Sequence, residues 1–256
     1  MFYKEYKPST SLGHLVDCYW ISKIDKSTAL GSRIIPDGCV DVIFRFGGDS
    51  TTKSIYSEPI LHGTMTSSFL FVPENGISEM LGVRFLPAGI SVLTKLPISE
   101  ITNGMVSLFD IDSLFHREFV EMVYDIPSYQ MRIRFIDQWL LAVQHSFFAL
   151  DVQIFNSLKR AISLSGRIDV VELASLACLS SRQFERRFRT KVGLTPKEFL
   201  QVLRFRKAKS LIDHNPQKSV LEVAFECGYY DHSHLNKDFL RFLGEPPRRP
   251  DPALPK

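Results

Sequence analysis

Cysteine is scarce in this chain. Its four copies, Cys18, Cys39, Cys178 and Cys227, stand far apart with no Cys-x-x-Cys pair, which argues against a thiolate metal knuckle or a disulfide framework and suits reduced, mostly buried small side chains. No uninterrupted apolar run approaches the ~18–20 residues of a membrane-spanning helix. The charged start, Met1 to Pro8, has no apolar signal core, so the expectation is a cytoplasmic protein without membrane association. Phosphate-cradling glycine loops are missing, since Gly47-Gly48 is too short to make one, and so is the Gly-x-Ser-x-Gly of a nucleophile elbow. Histidines of the first half, His14, His62, His116 and His145, form no His-x-His pair; the one such pair, His232 and His234, falls on a helical stretch where i and i+2 face apart. Asp37 and Asp41 are near enough to be read as an acid pair, but Asp37 in Pro36-Asp37-Gly38 already has a turn role. No catalytic residue, metal or cofactor is therefore assigned, and the chain does not read as an enzyme.

Charge is present but uneven. Residues 1–150 hold 12 basic and 16 acidic residues, a net of −4, whereas residues 151–256 hold 19 and 12, a net of +7. The basic half favours a polyanionic partner. With 256 residues there is room for two domains, and the boundary is expected around Ser146–Leu150, dividing the chain into 1–148 and 149–256.

The first part is β-like. Val40, Val42, Phe44 and Phe46 alternate with Asp41, Ile43 and Arg45, which is the period of a strand with one buried face. Further strands are expected at Leu15–Ile24, Arg33–Ile35, Phe69–Val72 and Met80–Phe85, with turns at Pro36-Asp37-Gly38, Gly47-Gly48 and Asn75-Gly76, so a small sandwich or barrel is predicted. After Pro87-Ala88-Gly89 the period becomes helical, and Met131, Phe135, Ile136, Trp139, Leu140 and Val143 make one apolar stripe. Seating on its own domain is the first reading of that stripe and a dimer interface the second.

From Asp151 onward nearly everything reads as helix, and one pattern occurs twice, at about 170–192 and 220–243. Ala174, Leu179, Phe184, Phe188 and Gly193 answer to Ala224, Tyr229, Leu235, Phe239 and Gly244, each series followed three residues later by proline, Pro196 and Pro247. Each copy reads as a scaffold helix, a tight turn and a second, capped helix. In the first copy Phe184 and Phe188 face inward while Arg182, Arg186 and Arg189 share the outer face, flanked by Gln183 and Glu185. A guanidinium fork takes guanine O6 and N7 together, or a phosphate. The outer face of the second copy carries His232, Ser233, Asn236 and Lys237, with less charge. Between the copies Thr195 and Pro196 open a long helix bearing Arg204, Arg206, Lys207 and Lys209, a rod able to hold two helices in successive major grooves. Arg206 is expected to add uniform affinity if that face of the rod meets DNA.

Ser181-Arg-Gln-Phe-Glu-Arg-Arg-Phe188, Gly193-Leu-Thr-Pro196 and Cys227-Gly-Tyr-Tyr-Asp-His-Ser-His234 followed by Phe239 resemble the C-terminal DNA-binding domain of the AraC/XylS family of bacterial transcription regulators. The resemblance implies an all-α double helix-turn-helix and a sequence-specific, nucleoid-associated regulator of double-stranded DNA. It implies RNA polymerase as a partner, and an N-terminal half that senses a small-molecule effector or forms a homodimer. Base-contact candidates implied in the first copy are Arg182, Glu185 and Arg186, and in the second His232, Ser233, Asn236 and Lys237. One departure is Cys178, which stands in the first turn where the second has Gly228. Ile34-Ile-Pro-Asp-Gly-Cys-Val-Asp-Val-Ile-Phe44 and Gly82-Val-Arg-Phe-Leu-Pro-Ala-Gly89 are similar to an uncharacterised, distantly cupin-like N-terminal domain of some members, so the whole is expected to be an α+β multidomain protein. Two other readings fit parts of the sequence: a cupin-like small-molecule-binding or metal enzyme domain fused to a basic helical interaction module, and a basic module that docks an acidic protein.

Overall fold

The computed structural model describes residues 2–23, 32–47, 56–71 and 79–248. Its first half is built on eight strands: β1 (Phe2–Tyr6), β2 (Val16–Lys23), β3 (Ser32–Ile34), β4 (Val40–Phe46), β5 (Tyr56–His62), β6 (Phe69–Phe71), β7 (Glu79–Phe85) and β8 (Met105–Ser107). Six of them form one antiparallel sheet in the order β1-β2-β7-β4-β5-β8, and β3 pairs with β6 as a separate ribbon.

The alternation in β4 is realised: Val40, Val42, Phe44 and Phe46 are buried, and the residues between them are half-buried. Strand β4 has β7 on one side and β5 on the other, with Val42 opposite Val83 and Leu61. Three strands, β1, β5 and β8, carry no pattern of their own in the sequence. In β5 the register slips between Ile43 and Arg45 of its partner, opposite buried Pro59, because proline has no amide to donate and is tolerated where the ladder bulges. Strand β1 is an edge whose first four residues are exposed, so no buried face writes a pattern into it, and β8 has only three residues. Of the expected turns, Pro36-Asp37-Gly38 is formed, with Gly38 at φ +79° and the Asp37 carboxylate accepting from the Cys39 amide at 2.9 Å. Gly48, Asn75 and Gly76 lie outside the described residues, as do Ile24 and Val72 at the ends of two expected strands.

Two helices, α1 (Arg117–Asp125) and α2 (Tyr129–Ala142), close over this sheet. Ile136 and Leu140 are buried in the first core with Phe135 and Trp139 packed against it, so the apolar stripe seats α2 on its own domain, while Met131 at its start is half exposed. Phe119 gathers Phe135 and Trp139 at ring distances of 5.6 and 4.1 Å. Arg132 is buried, its guanidinium 3.9 Å above the Phe46 ring and its Nε and Nη2 donating to the Val123 and Tyr124 carbonyls at the end of α1.

The second half is helical: α3 (Val152–Ser163), α4 (Val170–Leu176), α5 (Ser181–Val192), α6 (Pro196–His214), α7 (Val220–Glu226) and α8 (His232–Leu243). Each begins at a side-chain cap, respectively Asp151, Asp169, Ser180, Thr195, Ser219 and Asp231, which satisfies amides the helix cannot. A core of Phe184, Phe188, Phe199, Phe205, Phe239 and Phe242 joins the two motifs through α6, whose 19 residues span about 28 Å. In α3 Ile154, Leu158 and Ala161 are buried, whereas Ile162, four residues after Leu158, is exposed. Among the described residues no helix is long and apolar enough to cross a membrane.

Candidate nucleic-acid interface

The two turns are made by the same pair of hydrogen bonds. After α4 the Leu179 amide donates to the Ala174 carbonyl at 3.0 Å and the Cys178 amide to Ser175 at 2.9 Å; after α7 the Tyr229 amide donates to Ala224 at 2.9 Å and the Gly228 amide to Phe225 at 3.0 Å. This crossed pair needs a left-handed residue just past the helix, and glycine supplies it without strain. The second copy uses Gly228 at φ +79°, and the first puts Cys178 there at φ +53°. The departure from glycine thus leaves the turn intact and places a side chain in a backbone region that disfavours one.

On α5 the capping box of Ser180 and Gln183 starts the helix, and Phe184, Phe188 and Val192 are buried. Arg182, Gln183, Glu185, Arg186 and Arg189 are all exposed on the other side. Gln183 is split in its commitments: its carboxamide oxygen accepts from the Ser180 amide at 3.2 Å and hydroxyl at 3.0 Å, so its amino group is what it has left to offer outward. Arg187 belongs to neither stripe. It forks the Asp151 carboxylate with Nε at 2.9 Å and Nη2 at 2.6 Å and donates Nη1 to Gln153 at 2.7 Å, which ties the helix to α3. That role left no mark in the local sequence, because its partner lies 36 residues away.

On α8 the Asp231 carboxylate takes the His234 amide at 2.7 Å, and Leu235, Asp238, Phe239 and Phe242 are buried. His232, Ser233 and Lys237 are exposed, and Asn236 is half-buried with its amide nitrogen 3.1 Å from His232 Nδ1. The two histidines face apart as helical spacing requires, since the His234 ring sits edge-on to Tyr229 at 5.2 Å. Burial raises the pKa of both the Asp238 carboxyl and the Tyr229 hydroxyl, which sit on the inner side of this helix.

Two residues of this surface carry no periodic signal. Tyr230, 86% exposed, stands in the turn just before α8. Arg167 reaches from the connection before α4 to the second motif: its Nη1 donates to the Glu226 carbonyl at 3.3 Å, and its stem lies 3.3 Å from where a Gly228 Cβ would be.

The rod is less open than its charge suggested. Arg204 donates to the Gly166 carbonyl at 3.5 Å, Lys209 pairs with Asp213 at 2.7 Å, and Arg206 donates to the Asp37 carbonyl of the N-terminal half at 3.4 Å. Arg206 is exposed, and its contact with Asp37 turns one guanidinium nitrogen toward the other half of the chain. Lys207 is exposed. Among the described residues no group of three or more His, Cys, Asp or Glu side chains is arranged to hold a metal.

Comparison with known proteins matches residues 173–249 to a family described as a helix-turn-helix domain and residues 4–107 to one described as a domain of unknown function (DUF6597). The HTH-type transcriptional activator RhaS of Escherichia coli O1:K1 / APEC is 31% identical over 132 residues, covering 48% of this chain and 46% of that protein. RhaS of Escherichia coli O9:H4 (strain HS) is 30% identical over the same length. The chain spans about half the length of the curated relatives it matches. Among solved structures, the DNA-binding domain of the global transcriptional factor AdpA in complex with a target DNA is similar at 34% identity, 37% of this chain, 86% of that chain and a TM-score of 0.35. ToxT from Vibrio cholerae is similar over 90% of this chain and 95% of its own at 10% identity, with a TM-score of 0.43.

Proposed function

We propose, from the AraC-type helix-turn-helix domain that residues 173–249 form, that this protein is a sequence-specific transcription regulator reading double-stranded DNA with α5 and α8 in two successive major grooves. The observation that carries the reading is the repeated turn: two scaffold helices, closed by the same crossed hydrogen bonds, each present a second helix whose apolar face is buried and whose polar face is open. Such a pair suits a ligand that repeats along one axis, and the net charge of +7 in residues 151–256 suits a polyanion.

Roles follow from side-chain chemistry. Arg182, Arg186 and Arg189 supply phosphate neutralisation and guanine recognition, and Glu185 suits the amino group of cytosine. Gln183 offers its amino group alone, which suits an acceptor rather than the paired donor and acceptor of adenine. His232, Ser233, Asn236 and Lys237 discriminate with less charge. Residues 149–256 act as the DNA-binding unit and residues 1–148 as a sensing or oligomerisation unit, open to a small-molecule effector, to a second copy of the chain, or to both. Activation is the regulatory mode that the named activators among the relatives support, and by the family resemblance it would run through RNA polymerase in the cytoplasm.

The test is selection of genomic fragments by the purified chain, followed by footprinting. Two protected stretches about one helical turn apart on one face of the duplex are expected. Failure to retain any fragment at low salt, or retention with no enriched sequence, would overturn the reading.

A further inference from the structure

The N-terminal half touches the far ends of both proposed reading helices. Each ends in a left-handed glycine, Gly193 at φ +88° and Gly244 at φ +78°, and a helix leaves its last carbonyls without partners of its own. At the end of α5 the Thr102 hydroxyl donates to the Gly193 carbonyl at 2.7 Å. A Cβ on Gly193 would lie 2.3 Å from the Thr64 hydroxyl oxygen and 3.0 Å from Ile98, so the two halves are in close contact there. At the end of α8 the Arg33 guanidinium donates to the Leu243 carbonyl, and its Nη1 would lie 2.8 Å from a Cβ on Gly244. Arg33 also puts a positive charge at the negative end of the helix dipole.

A third seat lies between these two, on the rod. A Cβ on Gly38 would fall 2.7 Å from the Phe199 ring, the Asp37 carbonyl accepts from Arg206, and Ala88 is buried in the helical core rather than in its own. The two N-terminal stretches singled out by their sequence, 34–44 and 82–89, meet at this seat. Arg84 lies 3.6 Å from Asp37 and 3.3 Å from Asp41, and Trp20 Nε1 donates to Asp41 at 2.6 Å, which stiffens the turn from behind.

We propose that the N-terminal half is a brace that fixes the spacing of the two reading helices, with Thr102 and Arg33 as its positioning residues, one at the C-terminal end of each helix. The inference rests on the DNA-reading function proposed above and adds what sets its geometry. The proposed base contacts, Arg182 to Arg189 and His232 to Lys237, begin in the first turn of each helix, so a tilt about its held end moves them most. One base pair inserted between the two recognition boxes shifts the second by about 3.4 Å and turns it by about 35°. A braced pair cannot follow that displacement and a loosened pair can.

The experiment uses the full chain and the site found by fragment selection. Affinity is measured for that site and for versions with one and two base pairs inserted between the boxes, in the wild type, in the Thr102→Val/Arg33→Gln double variant and in a Thr102→Ser control that keeps the hydroxyl. The wild type and the control are expected to lose about tenfold or more per insertion and the double variant no more than about threefold, with in-register affinity kept within about threefold. Thermal unfolding of each variant separates a loosened brace from a damaged fold, and the milder Thr102→Val single variant keeps the test decisive if the double variant unfolds, since its insertion penalty must then fall below that of the wild type and of Thr102→Ser. Equal insertion penalties in the wild type and a folded double variant overturn the brace while leaving the DNA-reading function standing. A wild type that selects no two-box site overturns that function first, and the brace with it.

Discussion

Cys178 and Gly228 hold the same place in the two turns, at φ +53° and +79°, and only the second is a residue that takes such a backbone without strain. A side chain in the left-handed region costs ~1–2 kcal/mol, against which glycine gives back ~0.4–1 kcal/mol through the freedom of the unfolded chain. Cys178→Gly is therefore expected to stabilise the protein by about 0.5–1 kcal/mol, and Gly228→Ala to destabilise it by about 1 kcal/mol. Denaturant unfolding of both variants checks the pair; a destabilised Cys178→Gly would show that the thiol contributes packing the strain does not outweigh.

Arg186 and Arg187 are neighbours with opposite duties, so their alanine variants should separate cleanly. Arg186→Ala is expected to leave unfolding unchanged and to cost ~1–3 kcal/mol of DNA binding with relaxed preference at one base position. Equal losses on specific and random DNA would make Arg186 a phosphate contact instead. Arg187→Ala is expected to cost about 1–3 kcal/mol of stability, less than the ~3–5 of a fully buried pair because the arginine is about a third exposed. An unchanged midpoint in urea would remove Asp151–Arg187 from the forces that hold α5.

Asp41 should give the first half a distinctive pH dependence. Burial raises its pKa to about 6, with Arg84 and the Trp20 hydrogen bond pulling the other way. Arg84 is held protonated because its attraction to Asp41 and Asp37 outweighs its own burial, and its charge does not offset the desolvation of Asp41. A folded state that keeps this proton up to about pH 6, against ~3.9 in the unfolded chain, binds more protons between those values; this group's contribution is largest below pH ~4, falls as pH rises to about 6 and is flat above. The size is about 1–3 kcal/mol. Asp41→Asn, which keeps an oxygen for Trp20, should flatten that part of the curve, and superimposable melting-temperature profiles from pH 4 to 7 would refute the assignment.

Arg206→Gln should lower neither the affinity for DNA nor the slope of log affinity against log salt, because the guanidinium bonds the Asp37 carbonyl. Replacement of Arg189, exposed on α5, should reduce that slope by about one. A reduced slope for Arg206→Gln would return it to the interface.

Much of the helical half was legible because its information is local. Caps, the inward phenylalanines and the exposed arginines each follow from residues within one or two turns: Thr195 and Ser219 cap from their positions, and of the adjacent Ser180 and Ser181, either of which the spacing allows, Ser180 is the cap. Strand β4 was legible for the same reason, its alternation being complete in seven residues. Strands β1, β5 and β8 were not, since an exposed edge, a strand bulged at proline and a three-residue strand are defined by their neighbours rather than by a pattern of their own.

The sequence by itself determined the doubled motif, the two unlike outer faces and the division of charge, because period and side-chain chemistry need no partner to be read. Only the tertiary structure decided which cations are spent inside the molecule. Arg187, Arg204 and Arg206 look like the other cations around them until Asp151, Gly166 and Asp37 arrive from distant parts of the chain. The same holds for Arg33 and Thr102, whose meeting with Leu243 and Gly193 spans 210 and 91 residues, a separation across which no local pattern operates and only packing selects the contact.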